Sequence, residues 1–398
     1  MESSLQNSKP FLNSSRIPPK AATVEVEIAE PQPPDRSVNS RGSNSYPIQA
    51  NMDLHTSTKP KLAVIGAGHL GRIHAKLLAA RSDCTLVGVC DPIASSREWV
   101  EQNLQVKSFS DFSELVDQVD AIVLATPTEH HHRVGKWALE QGIHTLIEKP
   151  IANRVDQARE LHRCATKNHA ILQVGHVERF NPVWESLLVR IQPSSVHYIE
   201  SRREGVYTGR STDIGIVLDL MIHDLDLILS LIDSPVANIR ASGRRVLGQH
   251  EDLAVADLEF QNGARAHLRA SRISSAAART MEIQADSEWY DLDFATNSWT
   301  ATRASAAVEC GDLQADRLNP SERAKVKDEL FGRWLDRMEI TPQAGNAIAA
   351  EHQDFLTAIR TGSQPRVNGL AAIKSLEVAC EITDQIAQRS LRVVRRAA

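Results

Sequence analysis

At the usual ~100 to 200 residues per domain, a chain of 398 residues with 42% hydrophobic and 24% charged positions reads as a soluble globular protein of two domains. Lys and Arg total 45 against 50 for Asp and Glu, so the net charge of -5 gives no general attraction to nucleic acid or to an anionic membrane. No apolar run approaches the ~18 residues of a membrane span, and five widely spaced cysteines without a C-x-x-C pair suggest neither disulfides nor zinc but a reducing cytoplasm.

Residues 1–58 differ from the rest: seven of the 17 prolines precede residue 50, Ser and Asn recur and aromatics are few, which predicts a disordered N-terminal extension. The opening MESSLQNSKPFLNSS has neither the basic nor the apolar region of a secretory signal. Met52 lies just before the first strand, so the extension reads equally as a solvated tail or as a start assigned too early. From Lys61 short β-branched or apolar runs alternate with glycine turns and amphipathic helices, the grammar of βαβ units. Strands are expected at Leu62–Ile65, Leu86–Cys90, Ala121–Ala125, Thr145–Ile147 and Ile171–Val174, with a weaker one near Val106. Runs as apolar as AIVLA need helices on both faces, so residues 59–180 are read as a doubly wound parallel sheet of the Rossmann type.

After Asn181 a helix (183–191), a strand (196–200) and a second helix (217–232) lead into strand periodicity from Val236 to Arg303. There Met281, Ile283 and Ala285 alternate with Glu282, Gln284 and Asp286, and Ala266, Leu268 and Ala270 with His267, Arg269 and Ser271, giving one apolar and one polar face. Two helices close the chain. Residues 181–398 are therefore expected to form an α/β domain with a large, mostly antiparallel sheet; the charged stretch 310–343, which lacks an apolar stripe, reads as a helix-like insertion.

The run KLAVIGAGHLG sets Gly66, Gly68, His69, Leu70 and Gly71 between a strand and the mouth of a helix, where backbone amides can approach a pyrophosphate. Asp91 ends the next strand 20 residues beyond Gly71, in the position from which a carboxylate accepts bonds from the adenosine ribose. That carboxylate would repel a 2'-phosphate, and Pro92 stands where an NADP site would favour Arg or Ser, so NAD is expected over NADP. Thr126 and Pro127 end a strand at the cofactor edge. The histidines that follow, His130, His131 and His132, are adjacent and cannot converge on a metal, for which helical ligands need spacing i and i+4. In IEKPI, Glu148 and Lys149 stand at the carboxyl end of a parallel strand, the ligand-binding edge of open α/β sheets, and Lys149 can polarise an alcohol or carbonyl oxygen there. Asp219 and His223, at i and i+4 in VLDLMIHDLDLI, share one helix face among apolar neighbours. Alone they fit a satisfied core pair; beside Lys149 they read as a proton shuttle.

These motifs, in the order G-A-G-x-x-G, strand-end Asp, T-P-x-x-x-H, A-L-x-x-G-x-H, E-K-P and D-x-x-x-H, resemble the glucose-fructose oxidoreductase, inositol dehydrogenase and rhizopine-catabolism (Gfo/Idh/MocA) family over about residues 60–390. The resemblance implies a dehydrogenase of sugar or cyclitol carbons whose active lysine is Lys149, whose aspartate and histidine are Asp219 and His223, and whose cofactor-edge histidine is His131. It also implies a homo-oligomer formed through the large sheet. A narrower likeness in VGHVERFNP, SRREG and RSTDIG is to the branch that oxidises C3 of UDP-N-acetylglucosamine. It implies a nucleotide-sugar substrate near Arg179, Asn181, Arg202, Arg203 and Arg210, where local positive charge suits a diphosphate. A cyclitol dehydrogenase, an NAD-dependent glycosidase and an NAD-binding redox sensor without turnover are the other readings. Removing residues 1–51 is expected to leave folding and turnover intact; a marked fall in melting temperature would show that the extension joins the core.

Overall fold

Lys61 begins a strand whose alternate side chains enter two different cores, and the architecture of the first half follows from that. The computed structural model describes residues 59–209 and 214–397, with the backbone alone for 389–397; the expected extension 1–58 and Arg210 lie outside the described residues. In chain order the elements are β1 (Lys61–Ile65), α1 (His69–Ala79), β2 (Thr85–Cys90), α2 (Ala94–Leu104), β3 (Lys107–Phe109), β4 (Ala121–Leu124), α3 (Thr128–Glu140), β5 (His144–Glu148), α4 (Val155–Lys167) and β6 (Leu172–Gly175). Their strands run parallel in the order β3-β2-β1-β4-β5-β6, the doubly wound arrangement with its switch point between β1 and β4. Leu62 and Val64 face one core, Ala63 and Ile65 the other. Both faces are covered, as a parallel sheet requires.

The second half contains α5 (Pro182–Leu188), β7 (Val196–Glu204), α6 (Ile222–Leu231), β8 (Val236–Arg244), β9 (Leu253–Phe260), β10 (Arg265–Ser271), β11 (Ala278–Ala285), β12 (Glu288–Asp293), β13 (Ser298–Ala304), α7 (Ala306–Glu309), α8 (Pro320–Asp328), β14 (Leu335–Ile340), α9 (Ala347–Thr361) and α10 (Gly369–Ala397). The strands form an eight-stranded sheet in the order β14-β13-β12-β11-β7-β10-β9-β8. Only β7 and β10 pair in parallel within it. The expected alternation is present: Ala266, Leu268, Ala270, Met281 and Ile283 are buried in one core with α5, α6 and α10, which cover that face.

Three features depart from the sequence reading or add to it. The 310–343 stretch is not helix-like throughout, because Leu335–Ile340 pairs with β13 as the edge strand of the large sheet. An edge strand whose side chains are mostly exposed needs no apolar stripe, so neither periodicity marked it. The expected helix over 217–232 opens with a π-helical turn, Val217–Met221. The two closing helices also pack on the first sheet, with Phe355, Leu356 and Ala358 beside Leu62 and Val64, and Ile373 and Leu376 in the opposite core. No helix among the described residues is long and apolar enough to cross a membrane.

Candidate active site

The glycines of the first turn have three separate physical jobs. Gly66 has a φ of +99°, and a Cβ on it would stand 2.6 Å from the Ala125 carbonyl oxygen. A Cβ on Gly71 would meet the Gly66 carbonyl oxygen at 1.8 Å, so this position lets α1 lie against β1. Gly68 is different: it is exposed, nothing stands within 4 Å of where its Cβ would be, and it precedes the uncapped amides of α1. Open space beside a backbone at a helix N-terminus is what a pyrophosphate occupies. His69 and Leu70 are exposed at the same mouth.

Asp91 is buried and fixed to this loop. Its Oδ2 accepts from the Ala67 amide at 2.7 Å and its Oδ1 from the Ile93 amide at 2.9 Å. Each oxygen keeps a lone pair for a ribose hydroxyl. The residues present thus fit a dinucleotide: amides for its phosphates and a carboxylate for its ribose.

At the far side of the switch point, Pro127 is exposed and Thr126 has a buried hydroxyl with no partner. The histidine triplet diverges, as neighbours on α3 must: His130 lies beside Glu129, His132 bonds Glu160 and His131 turns inward. The His131 ring lies between the Pro150 and Thr126 carbonyls, at 2.8 and 2.9 Å. Burial lowers its pKa against the pull of both carbonyls. Its two nitrogens lie against backbone at the ends of β4 and β5, and a neutral ring has one N–H to give to one of the two carbonyls.

Lys149 extends from the end of β5 to the π turn. Its Nζ donates to the Asp219 carbonyl oxygen at 2.6 Å and approaches the Asp219 carboxylate at 3.4 Å. The expected bond from Asp219 to His223 is not formed. Asp219 lies in the π turn and turns its carboxylate to Lys149 instead. His223 is left with a buried Nδ1 that has no partner. Burial, reinforced by Lys149, Arg203, His176 and Arg279, holds its pKa well below 6.5, so the imidazole is neutral at physiological pH. The turn is anchored by Glu251, which accepts from the Val217 amide at 3.3 Å and occupies the space a side chain on Gly215 would need.

Most of the arginines expected at a substrate are already committed. Arg203 is 4% exposed and bonds Glu178 at 2.8 Å and Asp224 at 2.7 Å. Arg179 bonds the buried Asp226 at 2.6 Å, and Arg202 bonds Glu204 at 2.9 Å. Asn181 caps α5 by accepting from the Val183 amide, and its amide group donates to Glu178. Arg203 and Asn181 therefore build the wall of the site, the buried guanidinium being held between two carboxylates.

Sequence reasoning missed the layer behind Lys149. His74 on α1 contacts Glu148 Oε1 through Nε2 at 2.8 Å and His352 Nε2 through Nδ1 at 2.7 Å, and all three residues are buried. One consistent proton arrangement runs from His352 to His74 to Glu148. Burial alone would raise the Glu148 carboxyl, but the bond from His74 outweighs it and holds the group below the usual carboxylate range. Glu351 is fully buried, neither oxygen has a partner, and burial next to the Glu148 charge pushes its pKa well above 4.5. His74, Glu148 and Glu351 bring ligand atoms within 4.8 Å of one another, a span a metal could bridge. In the proton arrangement above, however, the His74 nitrogen facing Glu148 carries a hydrogen. Two neighbouring buried carboxyl groups, one ionised and one protonated, account for the cluster. No spacing signal links His74, Glu148 and Glu351 in the sequence. His176, buried at the end of β6 with an unpartnered Nδ1, was equally unmarked.

The comparisons agree with this geometry. Residues 61–176 match the family described as "Oxidoreductase family, NAD-binding Rossmann fold", and residues 190–290 match the "GFO/IDH/MocA C-terminal domain". The UDP-N-acetylglucosamine 3-dehydrogenase of Acidithiobacillus ferrooxidans is 33% identical over 322 residues, covering 81% of this chain and 96% of that protein. A solved structure of that enzyme superposes with a TM-score of 0.72 at 30% identity, over 82% of this chain and 97% of the other. The scyllo-inositol 2-dehydrogenase (NAD(+)) of Bacillus subtilis is 28% identical over 346 residues, 81% of this chain and 93% of that protein. The NAD(H)- and scyllo-inositol-bound dehydrogenase of Lactobacillus casei shares the fold, with a TM-score of 0.65 at 18% identity over 83% and 98% of the two chains.

The raised Glu351 pKa has a measurable consequence. Above about pH 5 the unfolded chain releases this proton while the folded chain retains it, so the group costs stability as pH rises. Glu351→Gln, which keeps the shape and removes the titration, is expected to gain melting temperature relative to wild type as pH increases. A difference independent of pH would show that Glu351 is ionised in the fold.

Proposed function

Because the chain belongs to the Gfo/Idh/MocA oxidoreductase family, we propose that it is an NAD-dependent dehydrogenase that oxidises a secondary hydroxyl of a sugar, namely C3 of UDP-N-acetylglucosamine, to the ketone. The observation that carries the chemistry is Lys149 bound to Asp219 beside a neutral His223 at the carboxyl edge of the parallel sheet. The substrate rests on the relative that is 33% identical over 96% of its length.

Gly66, Gly68, His69, Leu70, Gly71 and Asp91 would hold the dinucleotide, with Thr126, Pro127, Glu148 and Lys149 along its nicotinamide half. When bound it supplies a hydride acceptor to the reacting carbon. His223 accepts the hydroxyl proton, for which a neutral imidazole is the required form. Lys149 donates a hydrogen bond to the same oxygen as its charge develops, and Asp219 fixes the direction of the ammonium. With the proton taken up by His223, the C–O single bond would become a carbonyl, the two electrons leaving through the hydride-accepting chemistry that a bound dinucleotide would supply. The exposed polar face of the large sheet supports a homo-oligomer as the working form.

A panel of UDP-sugars, free sugars and cyclitols, scored by NADH absorbance, tests the substrate; turnover confined to cyclitols would overturn it. In titrations the protein is expected to bind NADH more tightly than NADPH, because Asp91 repels a 2'-phosphate. The reverse order would remove Asp91 from the ribose.

Lys149→Met and His223→Ala are each expected to lower kcat by about 100- to 10,000-fold, the range of a positioned acid–base group, while NADH affinity stays nearly unchanged. Near wild-type kcat in His223→Ala would make that histidine a structural residue and the proton route wrong.

A further inference from the structure

Of the cations whose field reaches His223, Lys149 is bonded to Asp219 and Arg203 is enclosed by Glu178 and Asp224. Arg279, at the start of β11, is the third. It stands directly opposite Arg203 in the antiparallel β7–β11 pair. Residues directly opposite in such a pair project from the same face, so Arg279 shares the face that Arg203 presents to α6. Two guanidinium groups in that relation repel, and they are tolerated here because Glu178 and Asp224 compensate the buried one. Arg279 itself is exposed, and among the described residues no side-chain partner takes any of its five N–H donors. Its carbonyl accepts from the Phe294 amide at 2.9 Å just beyond the β11–β12 ladder, which begins at Thr280, so the backbone is held and only the side chain stands exposed.

The geometry points to Arg279 as the anchor for the diphosphate of a nucleotide-sugar substrate, an inference that rests on the nucleotide-sugar reading above. A guanidinium holds phosphate oxygens through paired N–H donors, and an exposed group surrounded by satisfied charges keeps those donors free. The diphosphate is attached at C1, two ring bonds from C3, so an anion held at Arg279 would keep the sugar close to the reacting groups. Arg279 also lowers the pKa of Glu178 and of His223, which places its charge within reach of the site from the sheet side. The arginine that serves the substrate is thus a different one from those the sequence suggested, since those within the described residues are tied up in ion pairs.

The test compares wild type, Arg279→Gln and Arg279→Lys with UDP-N-acetylglucosamine as substrate and UDP as competitive inhibitor. Loss of a charge-assisted bond is expected to raise both KM and the UDP inhibition constant about 10- to 100-fold in Arg279→Gln. The effect should fall on KM more than on kcat, with an unchanged melting temperature, and Arg279→Lys should recover part of the affinity. If wild type turns over the nucleotide sugar and Arg279→Gln leaves KM and UDP inhibition unchanged, this anchor is wrong and the function stands. A parallel loss of kcat and melting temperature would make Arg279 structural and overturn the inference. If wild type ignores every UDP-sugar yet oxidises a neutral cyclitol, the functional reading falls and takes the anchor with it.

Discussion

The contact on which the reacting end of this molecule depends is the bond from the Lys149 ammonium to the backbone carbonyl of Asp219. One partner ends the fifth parallel strand of the first sheet; the other sits in the turn that starts a helix packed on the second sheet. Neither sheet alone brings these two groups together. A charged donor on a carbonyl is among the stronger hydrogen bonds available. It commits the ammonium to one direction and pins the π turn that determines where His223 points. That turn is a local irregularity of the kind that recurs at functional sites, and here it carries the carbonyl and carboxylate that Lys149 meets.

Behind that contact lies a shell of buried polar groups that satisfy one another. Arg203 is matched by Glu178 and Asp224, Arg179 by Asp226, and Glu148 by the bond from His74. Such arrangements are costly to break, at about 3 to 5 kcal/mol for removal of one partner of a buried pair, and they add little net stability over apolar packing. Their value is geometric. A wall that cannot rearrange keeps Lys149 and His223 in a fixed relation while neutral imidazoles at His176, His223 and His352 avoid adding charge to a dry interior.

What could be read from the sequence was whatever short-range physics determines. The six parallel strands, the three glycines and Asp91 all depend on neighbours within a few residues or on one βαβ unit, and each stands where its pattern put it. The alternating strands of the second sheet were legible for the same reason. The rest depends on contacts that carry no spacing. Lys149 and Asp219 are 70 residues apart, and His74 and His352 are 278 apart. The arginines illustrate the limit best. Their number near the second-domain helix is visible, but whether a guanidinium faces a ligand or a carboxylate depends on which acids fold against it, and no spacing links Glu178, Asp224 and Asp226 to their arginines. The same ambiguity concealed β14, whose Asp336, Arg337 and Glu339 fit a solvated helix as well as an edge strand.

That edge strand also bears on how the large sheet ends. An open strand edge invites another strand to add, and natural proteins prevent this with charge or by covering the edge. Here the two margins use different means. At β8 the side chain of Gln385 on α10 bonds the backbone, accepting from the Ala241 amide and donating to the Ile239 carbonyl. At β14 the exposed row of Asp336, Arg337, Met338 and Glu339 presents mixed charge to any incoming chain. With one margin bonded by a helix side chain and the other charged, extension of the sheet into a continuous ribbon across two copies is disfavoured at both ends.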